Sequence, residues 1–205
     1  MLSTPAIKAL RMKFPESYIA FMASPHAYEL LKDNPYLDEV IVYDKNSLHK
    51  SIFSTIKFSL GLKDKKFDTA LVLHPTLRSH LVPFIAGIPR RIGYDRKWPI
   101  LLTERIKHEK EKGEFHETDY VLDMLKIFGI TLAERSLYLK TDENAFKKME
   151  KILNDLGVKD SDSIVAMHPS ASSVSKRWFL ERFAKVSDYL AENFNAKIIL
   201  VAGPK

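Results

Sequence analysis

IVAMHPSASSVSKRW, residues 164–178, opens with four apolar residues and then breaks into a loop of small and hydroxyl residues that ends on a Lys-Arg pair. Helical spacing resumes at Phe179, so the stretch reads as strand, loop, helix. Such a loop exposes backbone amides and points a helix N-terminus at whatever sits beyond the strand end, which favours an anionic ligand. Ser170, Ser172, Ser173 and Ser175 offer hydroxyl donors and Lys176 a point charge. They lack the GxSxG setting of a serine nucleophile, so phosphate binding suits them better. The alternative is an ordinary connection carrying a solvated Lys and Arg.

Upstream, the chain repeats the same alternation. Pro5 in a first turn, followed by Ile7, Leu10 and Phe14, predicts a helix over 5–13. Strands are expected over 18–22, 39–43 and 69–73, and helices over 26–32, 48–60 and 77–86, with Gly61 ending the second and Pro83 shortening or kinking the third. Residues 91–93 form a short strand and 98–104 an irregular connection. Helices over 116–128 and 142–156 end at Gly129 and Gly157. The polar run KDSDS at 159–163 marks a boundary, followed by strand 164–167, helix 179–193 and strand 197–202. Alternation of this kind gives an α/β fold, a parallel sheet with helices on both sides and ligands beyond the carboxyl ends of its strands.

With 45% hydrophobic and 28% charged residues among 205, the chain can bury a core and is no disordered polyelectrolyte. There is no Cys, which removes disulfides, thiolate metal sites and a Cys nucleophile. No HExxH or close His pair occurs, so no metal is expected, and neither a GxGxxG nor a Walker loop is present. No apolar run approaches the roughly 20 residues needed to cross a bilayer. The net charge of +6 suits anionic partners without choosing among them. Nucleic acid has charge alone behind it and no recognition motif, so none is expected as a partner.

The loop after strand 69–73 carries His74 and Arg78. With Arg90, Arg91, Arg96 and Lys97 it can form a cationic rim for a phosphorylated or carboxylated sugar, work for which the guanidinium fork is suited. For Arg90 and Arg91 the alternative is surface pairing with Asp or Glu. His116 and Glu117 open a helix, where capping is as good an explanation as acceptor contact. His74 and His168 each follow a strand and precede Pro, and backbone hydrogen bonding is the commoner fate of such residues.

HPSASSVSKRW followed by LERFAKVSDYL and KIILVAGPK resembles the start of the second domain of glycosyltransferase family 9, the ADP-heptose:lipopolysaccharide heptosyltransferases. TPAIKALRMKFP, NPYLDEVIVYD, FDTALVLHPTLRSHLVPFIAGIPRRIGYDR and HETDYVLDMLKIFGI resemble that family's first domain, in the same order. The resemblance implies a GT-B-like architecture. Residues 1–160 would be an acceptor-side Rossmann-like domain lacking its first strand, and 161–205 the beginning of a nucleotide-sugar-binding domain. It also implies an inverting transfer of heptose from ADP-heptose to the lipopolysaccharide inner core, with no separate cofactor. Lys176 would hold the donor's phosphates, assisted by Ser170 and neighbouring groups. His74, Arg78, Arg90, Arg91, Lys97 and His116 are acceptor-side candidates.

The family's catalytic Asp would precede Met1, and its Asp-Ser-Gly-Pro loop would follow Lys205. The expectation is therefore a fragment without a catalytic base, inactive by itself, from a cytoplasmic protein that is peripheral at the inner membrane. The other reading is a non-catalytic module that binds anionic saccharides or lipid head groups. No pattern in the sequence sets the oligomeric state.

Overall fold

The computed structural model describes residues 1–131, 133–171 and 173–203. The chain forms two compact units, Met1–Lys140 and Thr141–Lys205. The sequence reading set its boundary near residue 160, but KDSDS is a tight turn: the Lys159 N–H donates to Asp162 Oδ2 at 2.9 Å, and the Asp162 N–H donates to the Lys159 carbonyl at 2.9 Å. By compactness the helix before that turn groups with the second unit.

The first unit contains α1 (Thr4–Lys13), β1 (Ala20–Ala23), α2 (Pro25–Leu31), β2 (Glu39–Val42), α3 (Ile52–Gly61), β3 (Thr69–Val72), α4 (Leu77–Ile85), β4 (Arg90–Tyr94), β5 (Glu104–Ile106) and α5 (Glu117–Asp123). A 3-10 turn, Met124–Phe128, extends α5 to Gly129. All strand pairs are parallel. β1 pairs with β2, while β3, β4 and β5 form a second sheet in that order. The expected single sheet is thus two hydrogen-bonded groups among the described residues.

Side-chain alternation shows how one pair of helical layers serves both sheets. Phe21, Ala23 and Val40 face Ile7 of α1 and Leu31 of α2, and Leu71 and Leu73 face Ala6 of α1 with Val121 and Leu125 near α5. On the opposite face Met22, Ile41 and Ala70 meet Leu62, Val82, Ala86 and Ile88 around α3 and α4. Neighbours in a strand point to opposite faces, so these short strands give side chains to both layers.

Arg11 ties the end of α1 to the strands. Its Nη1 donates to the carbonyls of Pro15 at 2.9 Å and Ser17 at 2.7 Å, and its Nη2 meets Asp38 Oδ2 at 2.5 Å. The same carboxylate oxygen accepts the Ile19 N–H at 2.6 Å. That bond, helped by Arg11 and opposed by burial, holds the Asp38 carboxyl below its ordinary range.

Several element ends differ from expectation. α3 starts at Ile52 because Ser51, not a residue near 48, caps it, its hydroxyl accepting the Ser54 N–H. Gly61 lies inside α3, and the chain leaves the helical path only at left-handed Lys66. α4 runs through Pro83 and ends two residues later. The irregular connection expected over 98–104 overlaps β5 only at Glu104, and no strand was expected over 105–106, where β5 continues for three residues in all, two of them charged.

The second unit contains α6 (Glu143–Asp155), β6 (Ile164–Met167), α7 (Leu180–Phe194) and β7 (Lys197–Leu200), with β6 and β7 parallel. Met167 and Ala196 are buried, whereas Val186, Tyr189 and Leu200 are exposed. Among the described residues no helix is long and apolar enough to cross a membrane.

Two outcomes test this packing. A Cβ on Gly93 of β4 would lie 3.2 Å from both Val72 Cβ and Leu102 Cδ1. Gly93→Val should therefore destabilise by about 1–3 kcal/mol in denaturant unfolding, and Gly93→Ala by less, because Leu102 can shift while the Val72 Cβ is fixed to its strand. Asp38 has a lowered folded pKa, so its contribution is complete above about pH 4 and disappears as pH falls through that lowered value. Urea midpoints of the wild-type chain and Asp38→Asn should differ at pH 7, and the gap should narrow as pH falls below the ordinary carboxylate range; a constant gap would assign the effect to geometry alone.

Candidate functional site

In the first unit the loops after β2, β3 and β4 leave the carboxyl ends of parallel strands, the side on which α/β sheets take ligands. Helix caps lie there too. Ser51 caps α3, and Thr76 and Ser79 form a reciprocal capping box at the start of α4. The loop after β2 is built around stacked rings: Tyr43 and His49 lie 4.9 Å apart, nearly parallel, with Phe58 against both.

Arg78 stands at this edge with its guanidinium turned inward. Nη1 donates to the His49 carbonyl at 2.8 Å and Nη2 to that of Lys50. It straps the first turn of α4 to the loop after β2, a structural use of the same fork that would otherwise suit a phosphate. His74 is exposed at the carboxyl end of β3, and its carbonyl accepts the Ser79 hydroxyl at 2.5 Å.

Arg90 and Arg91 are placed at the opposite, amino end of β4. Arg90 makes a two-point contact with Glu104, at 2.5 and 3.2 Å, and lies 5.1 Å over the Phe128 ring. Each partner stabilises the other's charge, raising the arginine and lowering the carboxyl. Arg91 donates to the carbonyls of Leu101 at 2.8 Å and Ile88 at 2.5 Å. The surface-pairing alternative thus describes Arg90, and Arg91 clamps backbone.

Lys97 is exposed at the carboxyl end of β4. Arg96 beside it pairs with Glu111 at 2.6 Å, and Asp95 Oδ1 accepts the His108 N–H at 2.7 Å. Further along, the Tyr94 hydroxyl donates to the Tyr120 carbonyl at 2.8 Å, and the Lys110 ammonium lies 4.9 Å over the Tyr94 ring. Burial pushes the Tyr94 phenol well above its ordinary range, so it stays a neutral donor. His116 caps α5, its Nδ1 accepting the Thr118 N–H at 3.3 Å. Of the six acceptor-side candidates, only His74 and Lys97 keep exposed side chains free of an internal assignment among the described residues.

Sequence reasoning missed Trp98, which is 58% exposed next to Lys97, and His80, which is 0% exposed. The available signal was Arg96-Lys97-Trp98-Pro99, a turn without Gly, Asn or Asp at its left-handed positions.

In the second unit β6 empties into the serine loop. His168 Nδ1 lies 2.7 Å from the Val201 carbonyl and its Nε2 3.5 Å from the Ser170 hydroxyl, tying the loop to the end of β7. Ser173 and Ser175 share a hydrogen bond at 2.8 Å, and Arg177 Nε donates to the Ala171 carbonyl at 2.8 Å. Lys176 ends a 3-10 turn, Val174–Lys176, with its side chain exposed and without an ion pair among the described residues. Ser172 lies outside the described residues. Among the described residues no cluster of His, Asp and Glu is suited to a metal ion.

The family model for glycosyltransferase family 9 (heptosyltransferase) matches residues 55–205. Lipopolysaccharide heptosyltransferase 3 of Escherichia coli K12 is 25% identical over 212 residues, an alignment covering 100% of this chain and 60% of that protein. The crystal structure of the family 9 glycosyl transferase from Veillonella parvula superposes with a TM-score of 0.87 at 25% identity, covering 99% of this chain and 59% of that one. E. coli heptosyltransferase WaaC, solved with ADP, shares the fold at a TM-score of 0.68 and 15% identity, over 100% of this chain and 63% of that one. The chain thus spans about 60% of the length of these relatives, with the GT-B type of α/β fold. From its second helical layer to its last strand it carries one family's pattern, and it belongs to glycosyltransferase family 9 (heptosyltransferase).

Proposed function

We propose that this chain serves an inverting glycosyl transfer in which heptose passes from ADP-heptose to the lipopolysaccharide inner core. The observation that carries the reading is the β6–α7 loop, where the exposed Lys176 ammonium stands among serine hydroxyls within the stretch that matches the family. In the reaction, an acceptor hydroxyl oxygen forms a bond to the anomeric carbon while the bond from that carbon to the diphosphate oxygen breaks. ADP leaves with the electron pair, and a carboxylate base takes the hydroxyl proton. Lys176, with Ser170 and Ser173, stabilises the charge growing on the departing diphosphate, where fixed donors contribute most. The base is assigned to no residue of this chain, and the sequence motifs call for no cofactor beyond the donor itself.

On the acceptor side, Lys97 and His74 at the carboxyl edge meet the anionic groups of the core saccharide, while Arg78, Arg90 and Arg91 hold the scaffold. The proposed setting is the cytoplasmic face of the inner membrane. A binding role without transfer is separated by donor binding: saturable saccharide binding by a chain with no affinity for ADP would favour it.

Titration of the chain with ADP should give saturable, salt-sensitive binding, and Lys176→Ala should weaken it by about tenfold, or ~1.4 kcal/mol. An unchanged Kd would remove Lys176 from the phosphate site. Arg78→Ala should behave differently, lowering stability by about 1.5–3 kcal/mol through loss of its charge-assisted bonds to the His49 and Lys50 carbonyls. Its ADP affinity should stay the same.

A further inference from the structure

His80 lies in the first half of α4 with its ring fully enclosed, 0% exposed. Neither ring nitrogen closes a hydrogen bond of ordinary geometry. Burial holds the imidazole below its usual range, outweighing the nearby backbone of Lys97 and Trp98, which favours the protonated form. The ring is therefore neutral, with one N–H to direct at that backbone.

The backbone it faces is unusual. Lys97 and Trp98 have φ of 46° and 62°, two successive side-chain-bearing residues in the left-handed region. Neither is a residue type that visits it readily, so the surroundings must hold the pair in place. The turn is anchored at both ends. The Asp95 N–H donates to the Ile106 carbonyl at 2.8 Å, and the Leu101 N–H to the Trp98 carbonyl at 3.2 Å. α4, which carries the buried His80, packs against the 3-10 turn Pro99–Leu101 that follows.

The turn presents an exposed indole and an exposed ammonium side by side at the carboxyl end of β4. An aromatic face packs against the C–H face of a sugar ring, and an adjacent cation takes an anionic substituent on the same ring. Arg96 is occupied by Glu111, which leaves Lys97 as the cation next to Trp98.

We propose that His80 is a positioning residue whose buried imidazole holds Lys97 and Trp98 in their left-handed form, so that the two build a subsite for a sugar ring bearing phosphate or carboxylate. The subsite deepens the acceptor-side reading above and rests on it for the identity of the natural saccharide, but not for its existence.

The experiment uses the full chain carrying Trp178→Phe, which leaves Trp98 as the sole indole because the sequence has two Trp. Mannose 6-phosphate, mannose and inorganic phosphate are titrated separately against Trp98 emission. Saturable quenching by mannose 6-phosphate, with at least tenfold weaker response to mannose or phosphate alone, is the expected result. Lys97→Ala should weaken it at least fivefold without moving the thermal midpoint.

His80→Phe keeps the ring volume and removes the nitrogens. It should shift the Trp98 emission maximum, raise acrylamide quenching and weaken mannose 6-phosphate at least fivefold, while His80→Gln, which retains an N–H donor, restores part of both. Native emission and native affinity in His80→Phe would make His80 a packing residue and overturn the proposal. If that variant does not fold, a His80→Gln chain that folds but shows no recovery of Trp98 emission or affinity over His80→Ala overturns it equally. A native chain that binds ADP yet shows no quenching by mannose 6-phosphate sinks the subsite alone. One that quenches normally but neither binds ADP nor releases it from ADP-heptose leaves the subsite standing and removes the transfer reading.

Discussion

Short parallel strands have to be covered on both faces, and that constraint organises the first unit. A four-residue strand offers two side chains to each layer, too few to hold a helix by itself. Helices here are therefore shared. α1 meets β1 and β2 through Ile7 and meets β3 through Ala6, Ala9 and Leu10, while the α3 and α4 layer collects Met22, Ile41 and Ala70 from three strands in the same way. Each layer thus unites strands that are not hydrogen-bonded to one another. Fully buried Ile92, Met124 and Leu125 show where that sharing is tightest.

Parallel strands also sort charge by edge. Every carboxyl end opens on the same side, and a cation's residue number relative to its strand decides whether it can meet a ligand. Arg90 and Arg91 begin β4 and Lys97 follows its end, so the length of one strand separates scaffold from rim. The chain's positive excess is similarly divided. Lys8 pairs with Glu134 at 2.7 Å, Lys65 with Glu39 at 2.7 Å and Lys110 with Glu117 at 2.5 Å, all consumed internally. Lys97 and Lys176 stay open, one after β4 and one after β6. Net charge could not have distinguished these two groups, because it counts ammonium groups without asking what each one touches.

Much of the architecture was legible because apolar spacing and caps carry it. β6 falls on Ile164–Met167 as its four apolar residues predict, and α1, α6 and α7 begin within a residue or so of their expected starts. Where the reading failed, the deciding contact was distant in sequence. β5 exists because Ile92, Gly93 and Tyr94 offer it a ladder, not because Glu104-Arg105-Ile106 is a strong strand former. Arg78 looked available because the carbonyls that occupy it lie 28 and 29 positions earlier. The separation into two hydrogen-bonded sheets was equally invisible, since alternation predicts that strands are parallel and covered but not which edges meet.

The left-handed residues show why the turn after β4 stands apart from ordinary chain geometry. Gly87, Gly113, Gly129 and Gly157 occupy that region where a helix or turn ends, at no steric cost. Lys66 and Asn195 also adopt it, each singly and each at the C-cap of a helical turn, where the bend itself is rewarded by a closing hydrogen bond. Lys97 and Trp98 end no helix. They adopt it in succession, between a strand and a short 3-10 turn, over an imidazole with no ordinary hydrogen bond of its own. A sequence free to relax would place Gly or Asn above and an apolar residue below. Keeping two large side chains in strained backbone over a buried polar ring is costly on both sides of the contact, and such cost persists where the geometry it enforces is used.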